Sequence, residues 1–151
     1  MDGINKLAFA PAQYLSSQGQ GRNLIRFNPK HVFYSQGGPA DSMFYIHSGR
    51  AKLTIVSKKG KEVTVTLLAA GDFVGEESLS ASAHLRITTA RAITTCVVLR
   101  IESGEMRRVL RQEHAFSDFF LKFMLARGVR AHISSISSSI QVRGDWRAYY
   151  C

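Results

Sequence analysis

Cysteine is scarce in this chain, and the two cysteines that are present lie far apart. Cys96 falls in an apolar, strand-like run and Cys151 is the last residue. Such spacing excludes a disulfide framework, and it lacks the close pairs that hold zinc or an iron–sulfur cluster. Cys96 also lacks the polar, basic surroundings that make a thiol a nucleophile. We therefore expect a protein of the reducing cytoplasm.

Long apolar runs are also missing. No segment approaches the roughly 20 apolar residues that a membrane-spanning helix needs. The N-terminus, MDGINKLAFAPAQYL, has no basic start followed by an unbroken apolar stretch, so it does not resemble a secretion signal. The sequence therefore predicts a soluble protein with no membrane partner.

The patterns of the common hydrolases and metalloenzymes are absent as well. The histidines are scattered, at His31, His47, His84, His114 and His132, with no H-x-H or H-E-x-x-H spacing. No Gly-x-Ser-x-Gly elbow occurs. We expect no enzyme, no catalytic residue, no metal and no resident cofactor; a metal-dependent barrel enzyme is the most distant alternative.

What the chain does contain fits one globular domain. With 151 residues and 45% apolar content it can bury an ordinary core. Its 20 Lys and Arg exceed its 11 Asp and Glu, which gives a net charge of +9. These basic residues are spread along the chain, so the charge favours anionic partners in general and indicates solubility before nucleic-acid binding.

Changes in pattern divide the chain into four parts. Residues 1–22 form an N-terminal helical segment, because Pro11 suits the first position of a helix. Residues 23–102 read as a β-barrel, 103–140 as helices, and 141–151 as an irregular tail.

The barrel part consists of short runs rich in Val, Ile, Thr, Phe and Tyr between glycine turns. The predicted strands are Leu24–Phe27, Val32–Tyr34, Met43–His47, Ala51–Ser57, Lys61–Leu67, Leu85–Arg91 and Thr95–Ile101. Alternation in 52–56 and 63–67 predicts strands with one buried face, joined by the basic hairpin 58–61. The predicted fold is mainly β, a jelly-roll barrel with flanking helices and a long C-terminal helix.

Two helices are predicted after the barrel. Ser103 is a candidate cap of the first, and the second begins near Ala115. An apolar seam at spacings of three and four runs along the second helix: Phe119, Ala126, Val129, Ile133, Ile136 and Ile140. A second apolar set, Phe116, Phe120, Phe123 and Met124, is predicted to pack the helix onto the barrel. The seam favours a homodimer, and the alternative is that all these residues are core.

A small-anion cradle is predicted in Leu68–Ala92. A Gly-Asp turn leads to a short helix near Glu76, whose first N–H groups can face an anion. The guanidinium of Arg86 can form charge-assisted hydrogen bonds with the same anion. Alternatively, Glu76 and Arg86 form a salt bridge across a vacant barrel. Glu77 is expected to be a solvated turn charge, and Asp72 to cap the turn after Gly71.

These segments resemble the cyclic nucleotide-binding domain of the Crp/Fnr regulators. The likeness covers residues 23–135 and is carried by Ser35-Gln36-Gly37, by Met43–Ile46 with Gly49–Leu53, by Leu68–Glu76, and by Arg86 with Ala92. The resemblance implies a β-barrel with a phosphate-binding cassette, a dimerising long helix, and a ligand such as cAMP or cGMP.

The resemblance also implies roles for individual residues. Gly75 would open the cassette, Glu76 would hold a ribose hydroxyl, and the amides near Glu77 and Ser78 would face the phosphate that Arg86 neutralises. Apolar support would come from Leu68, Val74 and Leu79, and the base would reach His132, Ser134 or Ser135 on the dimer helix.

Three departures from the family pattern stand out. Ile87 follows the phosphate arginine where cAMP binders carry Ser or Thr, and Thr88 is not a simple replacement. Ser78 stands where the cassette usually has Ala or Gly. Finally, no helix-turn-helix pattern follows residue 140, so this chain alone should not read DNA. Besides the distant alternative of a metal-dependent barrel enzyme, two functions remain open: a cyclic-nucleotide sensor that controls a transcription regulator, or a ligand-independent dimerisation module with a degenerate pocket.

Overall fold

The computed structural model describes residues 9–80 and 85–143, with side chains described as far as residue 128. Within these residues, short helices and a long C-terminal helix flank eight strands. In chain order they are α1 (Pro11–Leu15), β1 (Arg22–Phe27), β2 (Val32–Tyr34), β3 (Ser42–Ser48), β4 (Ala51–Val56), β5 (Glu62–Leu68), β6 (Phe73–Val74), a 3-10 helix (Glu76–Leu79), β7 (Thr89–Ala92), β8 (Cys96–Glu102), α2 (Ser103–Gln112) and α3 (His114–Arg143). The predicted fold class is confirmed.

The strands form two four-stranded antiparallel sheets with the orders β1-β8-β3-β6 and β2-β7-β4-β5. Their facing sides share one apolar core, since alternate residues of each strand point inward. That core consists of Phe33, Tyr34, Phe44, Ile46, Ala51, Leu53, Leu68, Val74, Ala90, Ala92, Cys96 and Val98. The cradle therefore rests on a packed barrel interior.

A second core lies between the outer face of the first sheet and the helices. It consists of Tyr14, Leu15, Met43, Phe73, Leu99, Ile101, Met106, Val109, Phe116 and Phe120. Phe116 and Phe120 stand four positions apart on α3 and are both buried, and the ring centroid of Phe120 lies 5.0 Å from that of Phe73. Phe123 and Met124 are partly buried against the same core. The prediction that this set packs the helix onto the barrel is confirmed.

The outer face of the second sheet has no such cover among the described residues. Val63, Val65 and Leu67 on the edge strand β5 are 51%, 53% and 70% exposed. Alternation predicted that the apolar face of this strand would be buried, and that prediction is wrong. The alternation is present, but the face that carries it points away from the barrel interior.

Several predicted boundaries also differ from the structure. The strand predicted over Leu85–Arg91 begins only at Thr89, and the two-residue strand β6 was not predicted. Glu102 is the N-cap of α2 and forms no side-chain cap, so the predicted capping by Ser103 is wrong. Helix α3 continues to Arg143, beyond the predicted end at residue 140. The division of the chain into four parts stays a prediction.

The part of the chain described after the barrel consists of α2 and α3 and includes no helix-turn-helix unit. Within the described residues, no helix is long and apolar enough to span a membrane.

Candidate functional site

The loop between β2 and β3 fixes the backbone of Arg86. The Arg86 N–H donates to the Gly38 carbonyl and the Gly37 N–H donates to the Arg86 carbonyl, both at 2.8 Å. Arg86 and Thr88 are 3% and 7% exposed, whereas Ile87 between them is 65% exposed. Arg86 and Thr88 are therefore buried in the cradle, whereas most of the Ile87 side chain is exposed to solvent.

The Arg86 guanidinium is held on several sides. Its Nη2 donates to the Ser42 carbonyl at 2.6 Å and contacts the Ser42 hydroxyl at 3.2 Å. Its Nη1 lies 3.4 Å from the Gly75 carbonyl, and its Cζ stacks 4.1 Å above the centre of the Tyr34 ring. The buried Nε, by contrast, has no hydrogen-bond partner among the described residues. These contacts fix the position of the guanidinium and leave its Nε donor without a hydrogen bond.

Position 75 requires glycine for two reasons. Gly75 has φ of 90°, in the left-handed region that side chains disfavour. A Cβ there would also lie 2.8 Å from Arg86 Nη1 and 3.1 Å from the Ser42 carbonyl oxygen. The 3-10 helix that follows donates the Ser78 N–H back to the Gly75 carbonyl at 3.1 Å, so this amide points into the helix. The Ser78 hydroxyl is buried and has no partner among the described residues.

Glu77 pairs with Arg86, and we call these two residues the inner pair. Glu77 Oε1 lies 3.5 Å from Arg86 Nη1, and the two side chains are only 13% and 1% exposed. Asp41 Oδ1, on a largely exposed side chain, is 3.8 Å from Arg86 Nη2. The prediction that Glu77 is a solvated turn charge is wrong, because the 3-10 helix turns its side chain toward the buried guanidinium.

Glu76 pairs instead with Arg127 of α3, and we call these two residues the outer pair. Glu76 Oε2 lies 3.3 Å from Arg127 Nη1, and the side chains are 30% and 18% exposed. Arg127 Nη1 also donates to the Phe73 carbonyl at 2.7 Å. The outer pair therefore connects the cassette, which is Gly75 with the 3-10 helix Glu76–Leu79, to the long helix α3.

The predicted convergence of Glu76 and Arg86 is not the arrangement in this structure. Each of them is paired with a different residue, so the alternative of a Glu76–Arg86 salt bridge is wrong as well. The turn before β6 is as expected: Asp72 Oδ2 accepts a hydrogen bond from the Ala69 N–H at 2.9 Å.

The remaining predicted site residues fall into three groups. Leu68 and Val74 belong to the barrel core, and Leu79 is partly buried against the second core. On α3, Phe119 is 38% exposed and Ala126 is exposed. The other α3 residues lie outside the described side chains: Val129, His132, Ile133, Ser134, Ser135, Ile136 and Ile140.

Sequence reasoning missed three residues that shape the cradle. Tyr34 forms the platform under Arg86, Arg127 holds Glu76, and Arg107 Nη2 donates to the Ser78 carbonyl at 3.1 Å. Burial raises the pKa of the Tyr34 phenol, while its contact with Thr88 lowers it, and the net shift is upward. Tyr34 directly precedes Ser35-Gln36-Gly37, which was its one available signal.

His47 and Cys96 have structural roles. A ring nitrogen of His47 hydrogen-bonds with the Leu15 carbonyl and so fixes α1 against the barrel. Burial raises the pKa of the Cys96 thiol, and the opposing effects of Thr94 and Arg50 are smaller. Among the side chains that the structure describes, in residues 9–80 and 85–128, no group of three His, Cys, Asp or Glu could hold a metal ion.

Comparison with known proteins points to one family. Residues 24–113 match the family model described as cyclic nucleotide-binding domain. The cAMP-activated global transcriptional regulator CRP of Salmonella typhimurium is 30% identical over 89 residues, which cover 59% of this chain and 42% of that protein. The chain thus spans less than half the length of this curated relative.

Solved structures agree on the fold. The c-di-GMP responsive global regulator CLP of Xanthomonas campestris matches with a TM-score of 0.65 at 19% identity, over 81% of this chain and 60% of that one. The sensor domain of the transcriptional regulator DNR of Pseudomonas aeruginosa matches with a TM-score of 0.61 at 18% identity, over 76% and 75%.

Proposed function

Because the chain belongs to the cyclic nucleotide-binding domain family, as found in the Crp/Fnr regulators, we propose that it is a sensory domain that binds cAMP or cGMP. The cyclic phosphate lies against Arg86 and the cassette Gly75–Leu79. One observation carries this proposal: Arg86 Nε and the Ser78 hydroxyl are buried polar groups without partners among the described residues. A phosphate offers acceptors for both, and buried donors in native proteins are normally satisfied.

The sugar and the base extend from the phosphate toward α3. The side chain of Glu76 is 30% exposed. Its carboxylate is therefore accessible to a ribose hydroxyl and can accept a hydrogen bond from it. Val74 and Leu68 form the apolar floor. The base lies near the helix, where His132 is the candidate contact. Gly75, Glu77, Ser78, Leu79 and Thr88 complete the proposed site.

Helix α3 is the element that transmits the signal. A ligand hydroxyl at Glu76 competes with Arg127 for the same carboxylate, so ligand binding alters the outer pair between cassette and helix. The helix also exposes Phe119, Leu121 and Leu125 at 38%, 57% and 62%. These apolar side chains support a homodimer along α3, and the ligand shifts the dimer between two arrangements.

The output of the domain is control of a transcription regulator, and we assign it no catalytic activity. The Salmonella relative is a cAMP-activated regulator of more than twice the matched length. We assign DNA contact to none of the residues described here.

Calorimetric titration with cAMP and cGMP tests the proposal. We expect one of them to bind, and Arg86→Ala to abolish the heat of binding. Since Arg86 is buried, circular dichroism must show that this variant is folded, and Arg86→Lys provides a milder second variant. Arg91→Ala is the matched control, because Arg91 lies outside the cradle and donates to the Lys30 carbonyl. If neither nucleotide gives heat or a shift in melting temperature, the proposal fails.

The second candidate function is a ligand-independent dimerisation module. It is favoured by the inner pair, because Glu77 already supplies Arg86 with a negative charge. It predicts a stable dimer that responds to no nucleotide. Sedimentation with and without ligand separates the two functions, since only the sensor changes its assembly or shape when ligand is added.

A further inference from the structure

The cradle contains its own carboxylate at the place where a ligand phosphate would meet the arginine. Glu77 Oε1 is 3.5 Å from Arg86 Nη1, and its side chain is 13% exposed. An exposed glutamate would leave the guanidinium free for an incoming anion. Here the guanidinium already has a partner, so any phosphate that reaches it encounters Glu77 as well.

The charges make this encounter unfavourable. A phosphate and a carboxylate that share one guanidinium repel each other, and the repulsion is larger in a buried site than in water. Asp41 adds a second carboxylate at 3.8 Å from Arg86 Nη2, but it is 61% exposed and therefore well screened. Glu77 is the carboxylate that a ligand must displace.

Arg86 also has contacts that do not depend on Glu77. Nη2 is fixed by the Ser42 carbonyl at 2.6 Å, and the guanidinium rests on the Tyr34 ring. Neither contact involves Glu77. Although Glu77 is in contact with Arg86, the Arg86 Nε and the Ser78 hydroxyl have no hydrogen-bond partner among the described residues. Glu77 therefore leaves two polar groups of the cradle unsatisfied.

We propose that Glu77 is an internal counter-anion, which occupies Arg86 until the phosphate of a cyclic nucleotide exchanges with it. The inference rests on the proposed function. It assigns Glu77 a role in setting affinity: the cradle binds a ligand only if the ligand's contacts to Arg86 and Ser78 exceed the contact that Glu77 gives up. Glu77, as a residue of the cassette, thereby limits the affinity of the sensor for its ligand.

Titration of the whole chain and of Glu77→Gln with cAMP, cGMP and cyclic di-GMP tests this exchange. The cyclic dinucleotide distinguishes a mononucleotide ligand from the response described for the Xanthomonas regulator. We expect Glu77→Gln to bind the preferred nucleotide about tenfold more tightly or better, a factor that corresponds to about 1.4 kcal/mol. Glu62→Gln is the matched control, since it removes the same charge at the Lys52–Glu62 contact outside the cradle and should leave affinity unchanged.

Thermal melting separates an exchanging residue from a merely structural one. Without ligand, Glu77→Gln should melt at a lower temperature, because Arg86 loses its counter-charge. With ligand, the same variant should gain more in melting temperature than the unchanged chain. A structural role alone would lower both the stability and the response to ligand, and Glu77→Ala repeats the comparison without a hydrogen-bonding side chain.

The outcomes judge this inference and the proposed function separately. If the unchanged chain binds a nucleotide and Glu77→Gln binds it equally or more weakly, the inference is overturned and the sensor function stands. If only Glu77→Gln binds, the inference is supported and the unchanged chain is not a sensor at these concentrations. If neither binds any of the three nucleotides, both are overturned.

Discussion

The two carboxylates of the cassette are neighbours in sequence but belong to two different regions of the molecule. The inner pair, Glu77–Arg86, is buried, with side chains 13% and 1% exposed. The outer pair, Glu76–Arg127, lies between barrel and helix, with side chains 30% and 18% exposed. One step along a 3-10 helix separates a contact within the barrel from a contact with α3.

The same type of ion pair therefore has two energetic roles. In the inner pair, leaving Arg86 without a counter-charge carries a large desolvation cost, so Glu77 can leave it only when another anion takes its place. In the outer pair, water solvates either side chain when the contact opens, so the pair contributes little to stability and can exchange partners. A contact of the second kind suits a signal between cassette and helix.

The largest effect should come from removing the buried guanidinium. Arg86→Met keeps an apolar stem but leaves Glu77 and the Ser42 carbonyl unpaired, so we expect a loss of about 3–5 kcal/mol in the free energy of unfolding. Urea denaturation followed by circular dichroism measures it. A loss below about 1 kcal/mol would place the inner pair in the same class as the outer one.

A double-mutant cycle should show that the two pairs are separate. We expect Glu77→Gln with Arg86→Met to give a coupling free energy of about 2 kcal/mol, because the residues are in contact and desolvated. Glu76→Gln with Arg86→Met should give less than about 0.5 kcal/mol, because Glu76 contacts Arg127 instead. Equal couplings in the two cycles would restore the original expectation that Glu76 and Arg86 act together.

The sequence was informative about features that depend on the local periodicity of apolar residues. Alternation located the strands, and the spacing of Phe116 and Phe120 identified the face of α3 that packs on the barrel. Local periodicity does not show which face of a sheet the helices cover. Val63 and Val65 alternate as in a half-buried strand but lie on the exposed face, because the helices pack on the other sheet.

The cradle was predictable in its parts but not in its pairing. Gly75 and Arg86 could be placed from the sequence, since the first needs an unusual backbone conformation and the second follows the family pattern. Which of Glu76 and Glu77 faces Arg86 depends on the rotation of a four-residue helix against the barrel. Arg127 is far along the chain on another element, so no local signal relates it to Glu76.

A smaller effect is expected from the outer pair. Arg127→Ala removes the contact with Glu76 and the hydrogen bond to the Phe73 carbonyl, and we expect a loss of about 1 kcal/mol in the free energy of unfolding. Lys122→Ala, on an exposed position of the same helix, should change it by less than about 0.5 kcal/mol. Raising the salt concentration should shrink the Arg127 effect but hardly change that of Arg86→Met, since dissolved ions screen the more exposed pair far better than the buried one. The opposite salt dependence would contradict the assignment of inner and outer.

The smallest effect should come from Ile87, which separates two buried residues of the cradle. Ile87→Thr restores the residue type expected after the phosphate arginine, but the Ile87 side chain is 65% exposed, whereas Arg86 is only 3% exposed. We therefore expect less than about 0.5 kcal/mol in stability and about a twofold change at most in nucleotide affinity by calorimetry. Thr88→Val is the informative partner, because Thr88 is buried and its hydroxyl lies 3.4 Å from the Tyr34 hydroxyl. A gain of about tenfold in affinity from Ile87→Thr would show that position 87 reaches the ligand, and that the division between buried and exposed residues is wrong.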